Sequence, residues 1–137
     1  MPLVVDASVA LAWALPDESS AYADAVLAVV EQQGLRVPEL WAREIANGLA
    51  VAYLRKRITS ADESAFLAAL SRLSIEVEET FAPLTVIRVG TAAAMRYGLT
   101  AYDAAYVDLA SRERLTLATL DSAMRKAAEQ YGVTIFR

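Results

Sequence analysis

Two carboxylates in this sequence stand where a parallel β-sheet places its functional side chains. Asp6 ends the apolar, β-branched run Leu3-Val4-Val5, and Asp121 ends a second, mostly apolar run, residues 117–120. Such runs are typical of strands buried on both faces, and open parallel sheets bind ligands at the carboxyl ends of their strands. We therefore predict that Asp6 and Asp121 meet at one edge of a sheet.

Two further acids lie on predicted helices. Glu44 is in the middle of a helix, at the border of its apolar stripe, and Asn47 follows one turn later. A polar side chain at the edge of a core costs free energy when it has no partner, which favours a role for both. Asp103 follows Thr100 by three residues, as in a capping box at the start of a helix. The candidate catalytic and metal-binding residues are therefore Asp6, Glu44, Asp103 and Asp121.

Each of these acids also has an ordinary structural interpretation. Asp6 and Asp121 each precede a predicted helix, and Asp is a favoured N-cap. Asp103 could serve only its capping box, and Glu44 could be a border residue whose carboxylate reaches water. Both interpretations remain open for any one residue, and it is the set of four that favours a shared site.

The residue types that are missing restrict the chemistry of such a site. The chain has no histidine and no cysteine, which excludes a Ser-His-Asp triad, a histidine-ligated zinc ion, a disulfide and a cysteine nucleophile. Four carboxylates in one crevice would repel one another unless cations neutralise them. Oxygen ligands suit Mg²⁺ or Mn²⁺, which lower the pKa of a bound water and bind phosphate oxygens. We predict a metal-dependent hydrolytic site.

Polar neighbours of the acids fit a supporting role. Ser8 lies two residues after Asp6, and Thr119 lies two residues before Asp121. Both spacings place a hydroxyl close to a candidate acid. A dehalogenase-type phosphatase would have a second Asp at position 8, and no glycine-rich phosphate loop is present.

The elements that must position these residues follow from hydrophobic periodicity and helix signals. We predict an α/β fold with three layers, α/β/α, around a mostly parallel central sheet of about five strands. Strands are predicted to begin near Leu3, Leu35, Ser74, Leu115 and Val133. Helices are predicted over residues 7–15, 17–33, 39–57, from a capping box at Ser60, over 82–96, from Thr100, and over 121–131.

Composition is consistent with one globular domain, residues 1–137. Hydrophobic residues make up 56% of the chain, which is enough for a substantial core. The net charge of −4 argues against a broad basic surface for nucleic acid, so contacts with phosphates would depend on local patches. The sequence has no convincing signal peptide and no apolar run long enough to span a membrane, so we expect a cytoplasmic protein.

Four short motifs carry a family resemblance. They are Val4-Val5-Asp6-Ala7-Ser8, Glu44-Ile45-Ala46-Asn47, Leu99-Thr100-Ala101-Tyr102-Asp103-Ala104-Ala105-Tyr106 and Thr119-Leu120-Asp121. In this order and at these separations they resemble the PIN-domain family, and within it the VapC-type toxins of bacterial and archaeal toxin–antitoxin pairs. The resemblance covers essentially the whole chain.

The resemblance implies a Mg²⁺- or Mn²⁺-dependent endoribonuclease toxin. It implies the same acidic cluster, with Ser8, Asn47 and Thr119 at the supporting positions. There the hydroxyls of Ser8 and Thr119 would form hydrogen bonds with the acids, and Asn47 would orient Glu44 or contact substrate. The resemblance also implies an RNA substrate, a homodimer and inhibition by a cognate antitoxin protein. Candidates to grip the RNA backbone are the basic residues Arg43, Arg55, Lys56, Arg57, Arg125 and Lys126. Two alternatives remain: a non-catalytic module of the same fold that binds RNA or protein, and a nuclease of the same fold that cleaves DNA.

Overall fold

A parallel four-stranded sheet forms the centre of the computed structural model, which describes residues 1–137. Its strands are β1 (Leu3–Val5), β2 (Leu35–Val37), β3 (Ile75–Val77) and β4 (Leu117–Ala118). Their order across the sheet is β3-β2-β1-β4, and every neighbouring pair is parallel. The chain therefore builds the sheet outward from β1 in both directions, and the order reverses between β1 and β4.

Seven α-helices cover this sheet. They are α1 (Ala7–Ala14), α2 (Ala21–Gln33), α3 (Leu40–Leu54), α4 (Ser60–Leu70), α5 (Pro83–Tyr97), α6 (Ala101–Glu113) and α7 (Ser122–Gln130). Helix α1 contacts α2, α3 and α4, whereas α6 contacts α5 and α7, so the helices form two groups. The result is the predicted three-layer α/β/α arrangement, with Val4 and Val5 of β1 fully buried between the layers.

The predicted fifth strand is reduced to one parallel bridge, between Leu117 and Ile135. The neighbouring strand β4 is itself only two residues long, although we predicted a strand from 115 to 120. The reason lies at Thr119, whose backbone N–H donates to the Tyr22 hydroxyl and whose backbone oxygen accepts from Arg125. Because side chains occupy these backbone groups, the sheet ladder cannot continue past Ala118. The sheet has four strands rather than five.

Two helix starts differ from the prediction for local reasons. Helix α2 begins after Ser20, whose hydroxyl caps the Ala23 N–H, and the earlier acid Asp17 lies in a short 3₁₀ turn, Pro16–Glu18. The capping box of α4 is one residue earlier than predicted. There Thr59 and Asp62 exchange hydrogen bonds of 3.1 and 2.8 Å between side chain and backbone.

Helices α3 and α5 leave several apolar side chains outside the core. Helical spacing predicts one core stripe on α3, formed by Trp41, Ile45, Leu49 and Tyr53. Tyr53 is instead 54% exposed because it lies at the last turn of the helix. On α5, Leu84 and Ile87 are 64% and 63% exposed, whereas Ala93 and Tyr97 near its other end are buried. The first half of α5 thus lies outside the core.

No helix in the structure has the length and apolar character that crossing a lipid bilayer requires.

Candidate active site

The strand-end acids Asp6 and Asp121 do lie at one edge of the sheet. Strands β1 and β4 pair in parallel with Val5 opposite Ala118, and the Asp6 N–H donates to the Ala118 oxygen at 3.0 Å. Both acids therefore follow their strands at the point where strand order reverses. In doubly wound sheets this is where a crevice opens and ligands bind.

Asp6 is held by hydrogen bonds at both carboxylate oxygens, and it is only 6% exposed. Its Oδ2 accepts from the hydroxyls of Ser8 and Thr119, each at 2.8 Å. Its Oδ1 accepts from the Ser8 N–H at 3.3 Å, which makes Asp6 the N-cap of α1. The cap and the predicted hydroxyl contacts are thus both present.

Asp121 also caps a helix but keeps one oxygen free of hydrogen bonds. Its Oδ1 accepts from the Met124 N–H at 2.8 Å at the start of α7, and no donor contacts its Oδ2. Its own N–H donates to Thr119 Oγ1 at 3.0 Å. Thr119 is fully buried and joins the two strand-end acids through one hydroxyl.

Glu44 is presented by α3 and is partly buried. Its Oε1 accepts a 2.6 Å hydrogen bond from the hydroxyl of Tyr106 on α6. Burial raises the pKa of Glu44 above its ordinary value, the charges of Asp6 and Asp103 raise it further, and the hydrogen bond from Tyr106 opposes both. Burial, with the bond to Glu44, also raises the pKa of Tyr106, so its hydroxyl remains a donor.

Asp103 stands in the first turn of α6. The Thr100 hydroxyl accepts from the Asp103 N–H at 3.2 Å, but the Asp103 carboxylate makes no return bond to the Thr100 backbone. Only half of the predicted capping box forms, which leaves this carboxylate available. Burial raises the pKa of Asp103, and the negative charges of Asp121 and Asp6 raise it further. A hydrogen bond with Thr100 lowers the pKa of Asp103 but does not outweigh burial and the nearby charges.

The four acids line one open cleft of about 520 Å³. Its walls are Asp6, Ala7, Ser8, Leu11, Glu44, Asn47, Gly48, Asp103, Leu120 and Asp121. Of the seven predicted site residues, only Thr119 does not line the cleft; it lies beneath it. Gly48 brings α3 close to α1, since a Cβ at this position would lie 2.5 Å from Leu11 Cδ1.

The cleft fits a divalent cation by its chemistry. It contains four carboxylates and no lysine or arginine, so nothing among its lining residues neutralises them. An oxygen-only donor set of this charge suits Mg²⁺ or Mn²⁺. No three of the acids converge closely enough to surround an ion by themselves. Water would therefore complete the coordination, as is usual for Mg²⁺.

Three residues that contact the site were not predicted to do so. Tyr106 stands at helical spacing with Tyr102 and Leu109, a pattern that indicates only a shared face of one helix. Tyr22 was not singled out, yet its hydroxyl accepts from the Thr119 N–H at 3.2 Å and donates to the Phe136 oxygen at 2.8 Å. Arg125 donates to the Thr119 oxygen at 2.9 Å and packs over the Tyr22 ring. The contacts of Tyr106 and Tyr22 join residues 62 and 97 positions apart, and no local pattern indicates them. Arg125 lies six positions from Thr119, and it was predicted to contact RNA rather than Thr119.

Some predicted contacts differ in the structure. Asn47 lines the cleft but forms no hydrogen bond with Glu44. Among the predicted RNA-gripping cations, Arg57 is paired with Asp17 and Glu18. The cations that remain exposed without such partners are Arg43, Arg55, Lys56 and Lys126.

Comparison with known proteins places this site in a family. The family model described as the PIN domain matches residues 3–130. The chain belongs to the PIN-domain family. A curated PIN-domain relative from Pyrobaculum aerophilum, named Ribonuclease VapC3, is 36% identical over 141 residues, which cover 98% of each chain.

A solved structure shows the same fold. The crystal structure of PAE2754 from Pyrobaculum aerophilum superposes with a TM-score of 0.66 at 29% sequence identity. The match covers 93% of this chain and 86% of that one. The family assignment therefore rests on the sequence, and this likeness supports the fold described above.

Proposed function

We propose that this PIN-domain protein is a Mg²⁺- or Mn²⁺-dependent endoribonuclease toxin of the VapC type. The observation that carries the proposal is the cleft itself, where four carboxylates from separate parts of the chain stand with no cationic side chain among them. The 36% identity to a relative named Ribonuclease VapC3, over nearly the whole of both chains, supports RNA as the substrate.

The acids Asp6, Glu44, Asp103 and Asp121 would hold the divalent ion, in part through water. When bound, the ion lowers the pKa of a water molecule and neutralises charge on the phosphate of the substrate. Oxygens with no hydrogen bond, such as Asp121 Oδ2, are available for this contact. The hydroxyls of Ser8 and Thr119 hold Asp6 in place from behind.

Glu44 is the candidate to accept a proton from the attacking water. Its carboxylate lines the cleft and keeps one oxygen, Oε2, without a hydrogen bond. With no histidine in the chain, a carboxylate is the group available for this task. Asn47, on the next turn of α3, lines the same cleft, which supports a contact with the substrate.

The remaining parts of the proposal concern partners and location. We propose that Arg43, Arg55, Lys56 and Lys126 contact RNA phosphates, since they are exposed and unpaired. A VapC-type toxin is proposed to act in the cytoplasm, to form a homodimer and to be inhibited by a cognate antitoxin. The exposed apolar side chains of α5 support association with other chains.

Asp6→Asn tests the catalytic proposal. Asn caps a helix as well as Asp does, so the variant should fold, whereas loss of the charge should abolish RNA cleavage and relieve growth arrest on expression. Asp24→Asn is the matched control, because Asp24 is an exposed acid on α2 whose side chain forms no hydrogen bond. Assays in Mg²⁺, Mn²⁺ and EDTA test the requirement for a divalent ion.

Three outcomes separate the alternatives. Cleavage of RNA that EDTA stops, and that Asp6→Asn lacks, supports the proposal. Binding of RNA without cleavage in any divalent ion would identify a non-catalytic module. Faster cleavage of DNA than of RNA by the purified protein would identify a DNA nuclease. Wild-type cleavage by Asp6→Asn would overturn the proposed role of the cleft.

A further inference from the structure

Tyr106 is a completely buried residue whose hydroxyl contacts Glu44, one of the residues that line the cleft. Its exposed fraction is 0%, and it is the largest of the fully buried side chains. A buried tyrosine hydroxyl needs a hydrogen-bond partner, and here the partner is Glu44 Oε1 at 2.6 Å. The apolar surroundings of Tyr106 thus fix the position of a donor that reaches from α6 to a carboxylate on α3.

Glu44 differs from the other three acids in how it is held. Each Asp lies at the start of a helix, where Asp6 and Asp121 accept hydrogen bonds from nearby backbone N–H groups. Glu44 lies inside α3, where backbone N–H groups are already paired, and its side chain is longer. Its only hydrogen bond is the one from Tyr106. Without it, the Glu44 carboxylate would be free to change rotamer, and ordering it would cost conformational entropy.

We propose that Tyr106 is a positioning residue that orients Glu44 for its role in the cleft. The bond to Oε1 leaves Oε2 as the one Glu44 oxygen without a hydrogen bond, so Glu44 presents a single oxygen in a fixed orientation to the divalent ion. This inference rests on the proposed function, and it adds a residue that acts through Glu44 without contacting the substrate. A purely structural role would leave Glu44 unaffected when the hydroxyl is removed.

Tyr106→Phe removes the hydroxyl and keeps the buried ring. We expect the variant to fold, as judged by circular dichroism and urea unfolding without metal. Its affinity for Mn²⁺, measured by calorimetry in the absence of RNA, should fall by about 10- to 100-fold, as for other residues that orient metal ligands. Tyr131→Phe is the matched control, because it also removes a tyrosine hydroxyl that donates a hydrogen bond. The acceptor in that case is the backbone oxygen of Arg96, away from the cleft. Its Mn²⁺ affinity should equal that of the wild type.

The double variant decides whether Tyr106 acts through Glu44. In a Glu44→Ala background, adding Tyr106→Phe should weaken Mn²⁺ binding no further, since there is no carboxylate left to orient. If the factors by which Glu44→Ala and Tyr106→Phe reduce Mn²⁺ affinity multiply in the double variant, Tyr106 does not act through Glu44 and the inference is wrong. Should Tyr106→Phe fail to fold, Glu44→Asp replaces it, because the shorter side chain keeps the charge and loses the reach to Tyr106. Unchanged Mn²⁺ affinity in Glu44→Asp would likewise overturn the inference.

Failure of this inference is distinguishable from failure of the proposed function. Wild-type protein that binds Mn²⁺ and cleaves RNA, beside a Tyr106→Phe variant that does both equally well, overturns only the positioning role. Wild-type protein that neither binds Mn²⁺ nor cleaves RNA overturns the proposed function, and the role of Tyr106 with it.

Discussion

Thr119 Oγ1 donates a 2.8 Å hydrogen bond to Asp6 Oδ2, although 113 positions separate the two residues in the chain. The same oxygen accepts from the Asp121 N–H at 3.0 Å. Thr119 is itself fixed at both backbone groups, by the Tyr22 hydroxyl and by Arg125. The acids at the ends of β1 and β4 are therefore positioned as one unit through a single buried hydroxyl.

Thr119→Val should both destabilise the protein and impair the site. Valine has nearly the same shape, but it leaves the Asp121 N–H without its partner and Asp6 Oδ2 with one donor instead of two. We expect the free energy of unfolding to fall by about 1–3 kcal/mol, measured by urea unfolding. RNA cleavage under folded conditions should fall by about 10- to 100-fold. Thr134→Val is the control at an exposed threonine, and equal effects in the two variants would contradict this role of Thr119.

Metal-free stability should depend on pH through Glu44. Because folding raises the pKa of Glu44 above its ordinary value of 4.5, the folded state holds more protons than the unfolded state between the two pKa values. The contribution of this group to the free energy of unfolding therefore falls as pH rises through that interval. Gln at this position does not titrate, and its oxygen can still accept from Tyr106.

The measurement is the difference in stability between Glu44→Gln and wild type in EDTA, from about pH 4 to about pH 8. The free energy of unfolding of Glu44→Gln should rise relative to that of wild type as pH rises. The difference should then stay constant above the raised pKa of Glu44. A difference that shrinks with rising pH would show that the pKa of Glu44 is lowered instead. With Mn²⁺ at neutral pH, the wild type should instead be the more stable of the two, because the cation offsets the repulsion among its carboxylates and binds them.

The two glycines inside helices should respond oppositely to alanine. Gly90 on α5 has open space where a Cβ would stand, so Gly90→Ala should stabilise the protein by about 0.5–1 kcal/mol. At Gly48, a Cβ would lie 2.5 and 2.8 Å from the two methyl carbons of Leu11. Gly48→Ala forces Leu11 to move, so it should not stabilise the protein as Gly90→Ala does. The rate of RNA cleavage should also fall, because Gly48 and Leu11 both line the cleft. Thermal unfolding of the pair tests this, and a stabilised, fully active Gly48→Ala would refute it.

Variants of Asp121 separate its cap from its charge. Asp121→Asn can still accept a hydrogen bond from the Met124 N–H. Its free energy of unfolding should therefore lie within about 0.5 kcal/mol of the wild-type value. Asp121→Ala loses the cap and should be destabilised by about 1 kcal/mol. Both lose the carboxylate, so Mn²⁺ should raise the melting temperature of either by less than it raises that of wild type. Equal stabilisation of Asp121→Asn and wild type by Mn²⁺ would exclude Asp121 as a ligand.

The sequence predicted the placement of the acids because each depends on a local signal. Asp6 and Asp121 end apolar runs, and parallel pairing of those runs brings them to one edge. Their capping interpretation was also correct, since Asp6 and Asp121 cap α1 and α7. The two interpretations are compatible because a carboxylate has two oxygens, and a cap uses one of them. The structure places Glu44 and Asp103 in the same cleft, while their catalytic roles remain predictions.

What could not be predicted depends on distant contacts. Tyr106 and Glu44 are 62 positions apart, and Tyr22 and Thr119 are 97 positions apart. A tyrosine on an apolar stripe is indistinguishable by pattern from any other core residue, because its hydroxyl acquires a partner only after the helices pack. The two-residue length of β4 has the same origin, since its end is set by Tyr22 and Arg125.

The order of the strands also determines when the site can exist during protein synthesis. Asp6 is synthesised 113 positions before its partner Thr119, and the neighbouring acid Asp121 and the bridge between Leu117 and Ile135 follow Thr119 or span it. A nascent chain that ends before β4 has neither the complete cleft nor the hydroxyl that orients Asp6. The proposed site can therefore be completed only after β4 and the residues that follow it have left the ribosome.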